Sequence, residues 1–268
     1  MNKTIGFIGS GNMGSAIIGG MISSKLIEPL HIMASDINQS SLDGLEKQFG
    51  IKTTTDNKEV ASQSNLLFLS VKPNIYPIII KEIKDSIKES TIVVAIAAGQ
   101  SIHTIEALFE KDVKIVRVMP NTPALVGEGM AAVSANMLVT KEETEDILAI
   151  FNSIGKAEVV GEYLMDAVIG VSGSAPAYVY MFIEAMADAA VAEGMPRPQA
   201  YKFAAQTVLG AAKMVLETGQ HPGALKDQVC SAGGTTIAAV CELENKGMRN
   251  AVISAIRVCA EKSRELTK

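Results

Sequence analysis

Thr4-Ile5-Gly6-Phe7-Ile8-Gly9-Ser10-Gly11-Asn12-Met13-Gly14 stands almost at the start of the sequence, and its reading decides the fold of everything near it. The first five residues suit a short buried strand. The last six read G-x-G-x-x-G, and Ala16, Ile17, Ile18 and Met21 then follow at helical spacing. Strand, tight turn and helix start therefore succeed one another. Gly9 permits the turn, Gly11 lets a pyrophosphate approach the backbone with no side chain in the way, and Gly14 lets helix and strand pack closely. A phosphate held there meets unpaired N–H groups and the positive end of a helix dipole. Glycine triplets also occur in purely structural turns, but a strand before and a helix after point to a bound dinucleotide.

Working outward, 268 residues favour two domains, each long enough to bury a core. Hydrophobic residues make up 48% and charged ones 20%, which excludes a disordered chain, and a net charge of −5 offers no basic face to a nucleic acid. No run reaches the roughly 18 uninterrupted apolar residues of a membrane span, and residues 1–25 lack the layout of a signal peptide. A cytoplasmic protein with no membrane and no nucleic-acid partner is expected. Cys230, Cys241 and Cys259 are odd in number, lack C-x-x-C spacing and sit among apolar residues, which suits reduced core thiols. His31, His103 and His221 form no H-x-x-x-H pair, so no metal site is expected and each reads as a surface or packing residue.

Residues 30–35, Leu-His-Ile-Met-Ala-Ser, read as a second strand running into Asp36, Ile37 and Asn38, about twenty residues beyond the glycine turn, where such folds meet the adenosine ribose. An acidic residue there grips a 2′-hydroxyl and repels a 2′-phosphate, yet Ser35 and Asn38 carry donors for a phosphate and no arginine is near. NAD and NADP both stay open, and Asp36 also suits a turn or helix cap. The apolar runs Leu66–Val71, Thr91–Ala97 and Lys114–Met119 are parallel strands covered on both faces, ending in Lys72-Pro73, Ala98-Gly99 and Pro120-Asn121-Thr122-Pro123. Ligands bind beyond such carboxyl ends. Lys72 is either a phosphate or carboxylate contact or a solvated lysine. Helical segments such as Ser101–Phe109 supply the crossovers, and Gly129–Ser134 and Ala157–Val160 add two short strands. The first part is a doubly wound α/β domain.

After Gly161 no strand pattern remains. Tyr178–Ala192 is apolar nearly all round, interrupted by Glu184 and Asp188, so it is expected to be buried on most faces; the two carboxylates read as a solvated edge or as an acid/base pair. Pro196 opens a further helix with apolar residues from Ala200 to Val215, and Gly219 ends it. Burying such helices within some hundred residues calls for a partner chain, so this part is also expected to form a subunit interface. Last comes His221–Thr236, in which Gly233-Gly234 leads into Thr235-Thr236 at a helix start. Free N–H groups and two hydroxyls there suit a small carboxylate, or the stretch is a capped helix after a flexible turn.

That stretch resembles the signature of the Δ1-pyrroline-5-carboxylate reductases through Pro222, Leu225, Val229, Ser231, Gly233, Gly234, Thr236, Ala239, Val240 and Leu243. The likeness extends to Phe7–Gly14, Val71-Lys72-Pro73, Ala97-Ala98-Gly99, Met119–Pro123 and Gly173–Tyr178, nearly the whole chain. It implies a Rossmann-like α/β N-terminal domain, 1–161, that binds NAD(P), and an all-α C-terminal dimerisation and substrate domain, 162–268, interlocked with its partner's. It implies a cofactor site of Ile8, Gly9, Ser10, Gly11, Asn12, Met13, Ser35, Asn57, Ser70, Val71, Lys72, Pro73, Ile96, Ala97 and Ala98, to which the reading of the residues adds Gly14 and Asp36, with NADP(H) favoured and NAD(H) as the second choice. It further implies that Glu162, Gln228, Thr235 and Thr236 surround 1-pyrroline-5-carboxylate, with Thr236 the catalytic contact near the ring nitrogen, and the Gly233 and Gly234 N–H groups are expected to hold the carboxylate with Thr235. The sequence departs from the pattern at Ala175, Gln228, Cys230 and Ala232. The rival 3-hydroxyacid dehydrogenase type resembles it in layout but carries a catalytic lysine on its long interdomain helix, and Ala175–Glu193 has none.

Overall fold

The computed structural model describes residues 3–266; residues 1, 2, 267 and 268, at the outer ends of the two expected domains, lie outside the described residues. The chain forms two compact units. One runs to Ser174 and takes in the chain from Cys259 onward, and the other is Ala175–Val258. Glu162 to Ser174, assigned above to the helical domain, thus group with the first unit.

In the first unit β1 (Ile5–Ile8), α1 (Asn12–Ser23), β2 (Ile32–Ser35), α2 (Gln39–Phe49), β3 (Lys52–Thr54), α3 (Asn57–Gln63), β4 (Leu66–Leu69), α4 (Tyr76–Ile83), β5 (Ile92–Ala95), α5 (Ile102–Phe109) and β6 (Lys114–Met119) alternate. Then follow β7 (Gly129–Ala135), α6 (Lys141–Asn152), β8 (Gly155–Val159) and the short α7 (Met165–Val168). The strands make one sheet in the order β3-β2-β1-β4-β5-β6-β7-β8. All neighbours are parallel except β6 and β7. The ends of β1 to β6 at Ile8, Ser35, Thr54, Leu69, Ala95 and Met119 therefore share one edge.

The apolar runs fold as two-faced strands because successive side chains alternate. Phe7, Phe68, Val94 and Val118 point to one face and pack with Ile17 and Met21 of α1 and Ile150 and Phe151 of α6. Ile8, Leu69, Ala95 and Ile115 point to the other and meet Val60, Ile80 and Phe109 of α3, α4 and α5. Phe7 and Phe68 stack at 4.6 Å across adjacent strands. Strand limits shift by one or two residues from the sequence reading, and two differences have a clear cause. β2 begins at Ile32, because Pro29–His31 forms a 3-10 turn that follows from proline's fixed φ. β3, Lys-Thr-Thr on the sheet edge, was not anticipated, since a polar edge strand leaves no apolar run to read.

The second unit holds α8 (Ala175–Ala192), α9 (Arg197–Thr218), α10 (Pro222–Val229), α11 (Thr235–Asn245) and most of α12 (Met248–Leu266). Gly219, at φ +64°, ends α9 in the left-handed conformation that glycine adopts without penalty. The expected burial of α8 is not met within this chain. Its sole fully buried residue is Ala187, packed with Ala200 and Ala204, while Tyr180 is 60% and Met181 69% exposed. A few helices paired side by side cannot cover each other all round. Asp188 pairs with Arg197, whose guanidinium also lies over the Tyr201 ring at 5.5 Å, so the Glu184–Asp188 stripe is a solvated edge. The cysteines are free, but Cys241 is exposed and Cys230 and Cys259 half-buried, so they are not core thiols. One helical run, Glu162–Ala192, has the length and mean hydropathy, 1.2, of a possible membrane span despite its carboxylates.

Candidate functional site

The glycine turn joins β1 to α1 at the shared strand edge. Gly9 has φ +99° and its N–H donates to the Ser35 carbonyl at 2.8 Å; a Cβ there would lie 2.7 Å from the Ser70 carbonyl oxygen. A Cβ on Gly14 would lie 3.1 Å from the Gly9 oxygen, whereas one on Gly11 would meet nothing within 4 Å. Two glycines are thus needed for packing inside the protein and the middle one faces open space. Gly11 caps α1 without a side-chain hydrogen bond, and no acidic residue stands in the first turn. Those N–H groups and the dipole behind them are free for an anion. Beside them, the Ser70 hydroxyl is the one buried side-chain polar atom without a partner among the described residues. Such a group calls for a ligand or water, so a nicotinamide dinucleotide fits this edge.

On the ribose side Asp36 Oδ2 accepts from the Ser10 N–H at 2.7 Å and the Ser10 hydroxyl at 2.6 Å, while Oδ1 accepts from the Asn38 N–H at 2.9 Å. Burial pushes the Asp36 carboxyl up, but these hydrogen bonds, the Ser10 hydroxyl foremost, hold it below the usual carboxylate range. Ser35, expected as a phosphate donor, is fully buried, and its hydroxyl donates to Asn57 Oδ1 at 2.7 Å. It sits at an inward position of β2, a burial that spacing alone did not reveal. Asn57 Nδ2 in turn donates to Glu82 Oε2 at 2.9 Å, and Asn38 turns its own side chain to cap α2.

The loops after β4 and β5, Ser70–Pro73 and Ile96–Ala98, are tied together by Tyr76. Its buried hydroxyl donates to the Leu69 carbonyl at 2.7 Å and accepts from the Ala97 N–H at 3.3 Å. Burial raises the phenol far above its usual range, so it stays protonated. Lys72 is exposed with no described partner. Glu162 Oε1 accepts from Arg117 at 3.0 Å and from the Ile102 N–H, at the start of α5, at 2.7 Å; Oε2 has no described partner. Arg117 was legible in principle: a charge inside an apolar strand must be paired when buried. Tyr76 and Glu82 carried no such signal, because their roles arise only from tertiary contacts.

In the second unit Gly234 caps α11, so Thr235 and Thr236 occupy its first turn, and no side chain caps it. Gly233 takes φ +66°, and the Gly234 N–H is engaged by the Ser231 carbonyl at 3.1 Å, which removes it from the expected carboxylate donors. Gln228, near the end of α10, is exposed and donates to Gln220 Oε1 at 2.7 Å. His221 caps α10 by accepting from the Gly223 N–H.

The family described as pyrroline-5-carboxylate reductase dimerisation matches residues 162–266, and that described as NADP oxidoreductase, coenzyme F420-dependent, matches residues 4–99. The pyrroline-5-carboxylate reductase of Escherichia coli is 54% identical over 268 residues, covering all of both chains. The structure of the Coxiella burnetii pyrroline-5-carboxylate reductase superposes with a TM-score of 0.95 at 34% identity over all of both chains. That of the Plasmodium falciparum enzyme with NADP bound has a TM-score of 0.90 at 32% identity over 100% of this chain and 99% of the other. With an anion-ready glycine turn in one unit, an uncapped threonine-led helix in the other and these full-length likenesses, the chain belongs to the pyrroline-5-carboxylate reductase family.

Proposed function

We propose that the chain reduces 1-pyrroline-5-carboxylate to L-proline, the last step of proline biosynthesis, as an NAD(P)H-dependent oxidoreductase acting on a C=N group. The observation that carries this is the uncapped start of α11, where two hydroxyls and first-turn N–H groups stand ready for a small anion. When bound, the nicotinamide supplies the hydride. The Gly233 and Thr235 N–H groups and the Thr235 hydroxyl take the carboxylate, with the Gly234 N–H left to its turn. Thr236 holds the ring nitrogen, and Gln228 borders the ring. A cyclic imine can arrive protonated, so these residues need supply no strong acid; fixed near-attack geometry can be worth on the order of 7–11 kcal/mol.

Resemblance favours NADP(H), whereas the carboxylate at the end of β2 favours NAD(H). We keep the domain boundary at 161/162; a family match that starts at residue 162 supports it, although the chain to Ser174 packs with the first unit. Two copies pair through the helical domain, whose exposed Tyr180, Met181 and Phe203 a partner would cover. The same pairing accounts for the apolar run Glu162–Ala192 without a membrane, and we place the enzyme in the cytoplasm.

Thr236→Ala tests the site. Losing the contact should lower kcat/KM by about 10- to 100-fold, roughly 1–3 kcal/mol, with dinucleotide affinity unchanged. Thr236→Ser should recover most of it. Full kcat/KM in Thr236→Ala would mean that another group orients the nitrogen.

A further inference from the structure

We infer that this chain takes NAD(H) in preference to NADP(H), with Asp36 as the residue that decides it. The inference rests on the reductase reading and adds which dinucleotide the site selects.

Asp36 directly follows the last residue of β2, the position that meets the adenosine ribose in a doubly wound sheet. An ionised carboxylate only accepts hydrogen bonds, at about four lone-pair positions. The Ser10 N–H, the Ser10 hydroxyl and the Asn38 N–H donate to it, and the Ile37 N–H lies close by. The carboxylate is only half-buried, so its outer side can still take a donor. A ribose hydroxyl is a donor. A 2′-phosphate at neutral pH is an acceptor carrying negative charge, so it would add repulsion and bring no hydrogen.

Asp36 has no easy way aside. Its two bonds to Ser10, a residue only 8% exposed, pin it to the glycine turn, and swinging away would leave the Ser10 N–H bare. The groups that might greet a phosphate are engaged elsewhere. The Ser35 hydroxyl is fully buried on Asn57, and the Asn57 amide is held by Glu82, which sets a second carboxylate behind it. The Asn38 side chain caps α2 through the Ser40 N–H. No lysine or arginine occurs from Ser35 to Glu46, and Lys58, beside Asn57, stands between Asp56 and Glu59. Carboxylates therefore outnumber cations on this side of the turn.

The test uses the full-length protein. Initial rates with NADH and with NADPH at saturating pyrroline-5-carboxylate should give a kcat/KM for NADH about tenfold or more above that for NADPH, mostly through KM. Asp36→Ser keeps an acceptor for the Ser10 N–H and removes the charge, and it should shift that ratio toward NADPH by about tenfold or more. Glu82→Gln should shift it the same way by less. Calorimetric affinities of unmodified protein for NAD+ and NADP+ need no variant and should show the same order. A native preference for NADPH, or a ratio that Asp36→Ser leaves unchanged, overturns the inference. Turnover with neither cofactor counts against the reductase reading instead, and the two affinities still decide between the dinucleotides.

Discussion

The two units use apolar residues in opposite ways. In the first, each strand sends alternate side chains into cores on both faces of the sheet, and α1 and α6 on one side and α3, α4 and α5 on the other close them over. In the second, the cluster of fully buried residues is Ala187, Ala200 and Ala204, while Phe203, Leu209 and Leu216 lie more than half exposed. The sheet unit satisfies its own pattern; the helical unit carries a pattern that one copy cannot satisfy. Apolar periodicity thus says that a surface is to be covered, and not by which chain.

If the first unit's site depends on its own packing, the largest effect comes from Gly9→Ala. With φ at +99° and the Ser70 carbonyl 2.7 Å from the new Cβ, the turn must shift. Urea unfolding should show a loss of about 3 kcal/mol, together with loss of dinucleotide binding. A well-folded variant that still binds would show that the turn is looser than described.

The second unit should respond to its outer surface. Phe203→Glu, at a residue 65% exposed in the single chain, should cost about 2 kcal/mol of association and move the protein toward monomer in sedimentation. An exposed residue outside any interface would change nothing. Tyr76→Phe returns to the first unit and sharpens the contrast, because it leaves the Leu69 carbonyl and the Ala97 N–H without their partner. A loss of about 1–2 kcal/mol is expected, with a raised KM for the dinucleotide and little change in kcat.

The smallest effect is a pH dependence. The Asp36 carboxyl is depressed in the folded chain, so its stabilisation is present above its unfolded value of about 3.9 and fades as pH falls through the folded value. The Tm gap between the native protein and Asp36→Asn should therefore narrow on acidification; a gap constant down to strong acid would remove that role from Asp36.

Much of the first unit was legible because parallel strands buried on both faces leave continuous runs such as Leu66–Leu69, and because the glycine spacing of Gly9, Gly11 and Gly14 has a local cause. Polar Lys52–Thr54 left no such run. The α11 start could be read from Gly234 and two threonines, whereas the engagement of the Gly234 N–H depends on how the Ser231 turn closes. The inward direction of Ser35 follows from strand register, and Glu82 comes near Asn57 only through the packing of α4 against α3. Most misleading was α8, where composition implied burial and a single chain leaves it bare.

The measurement that tests the account most directly is the mass of the native protein by sedimentation, taken alongside its turnover of pyrroline-5-carboxylate with NADH or NADPH across a dilution series. A dimer or a larger multiple is expected wherever turnover is found, with activity falling as the assembly dissociates. A folded monomer with full turnover would contradict it.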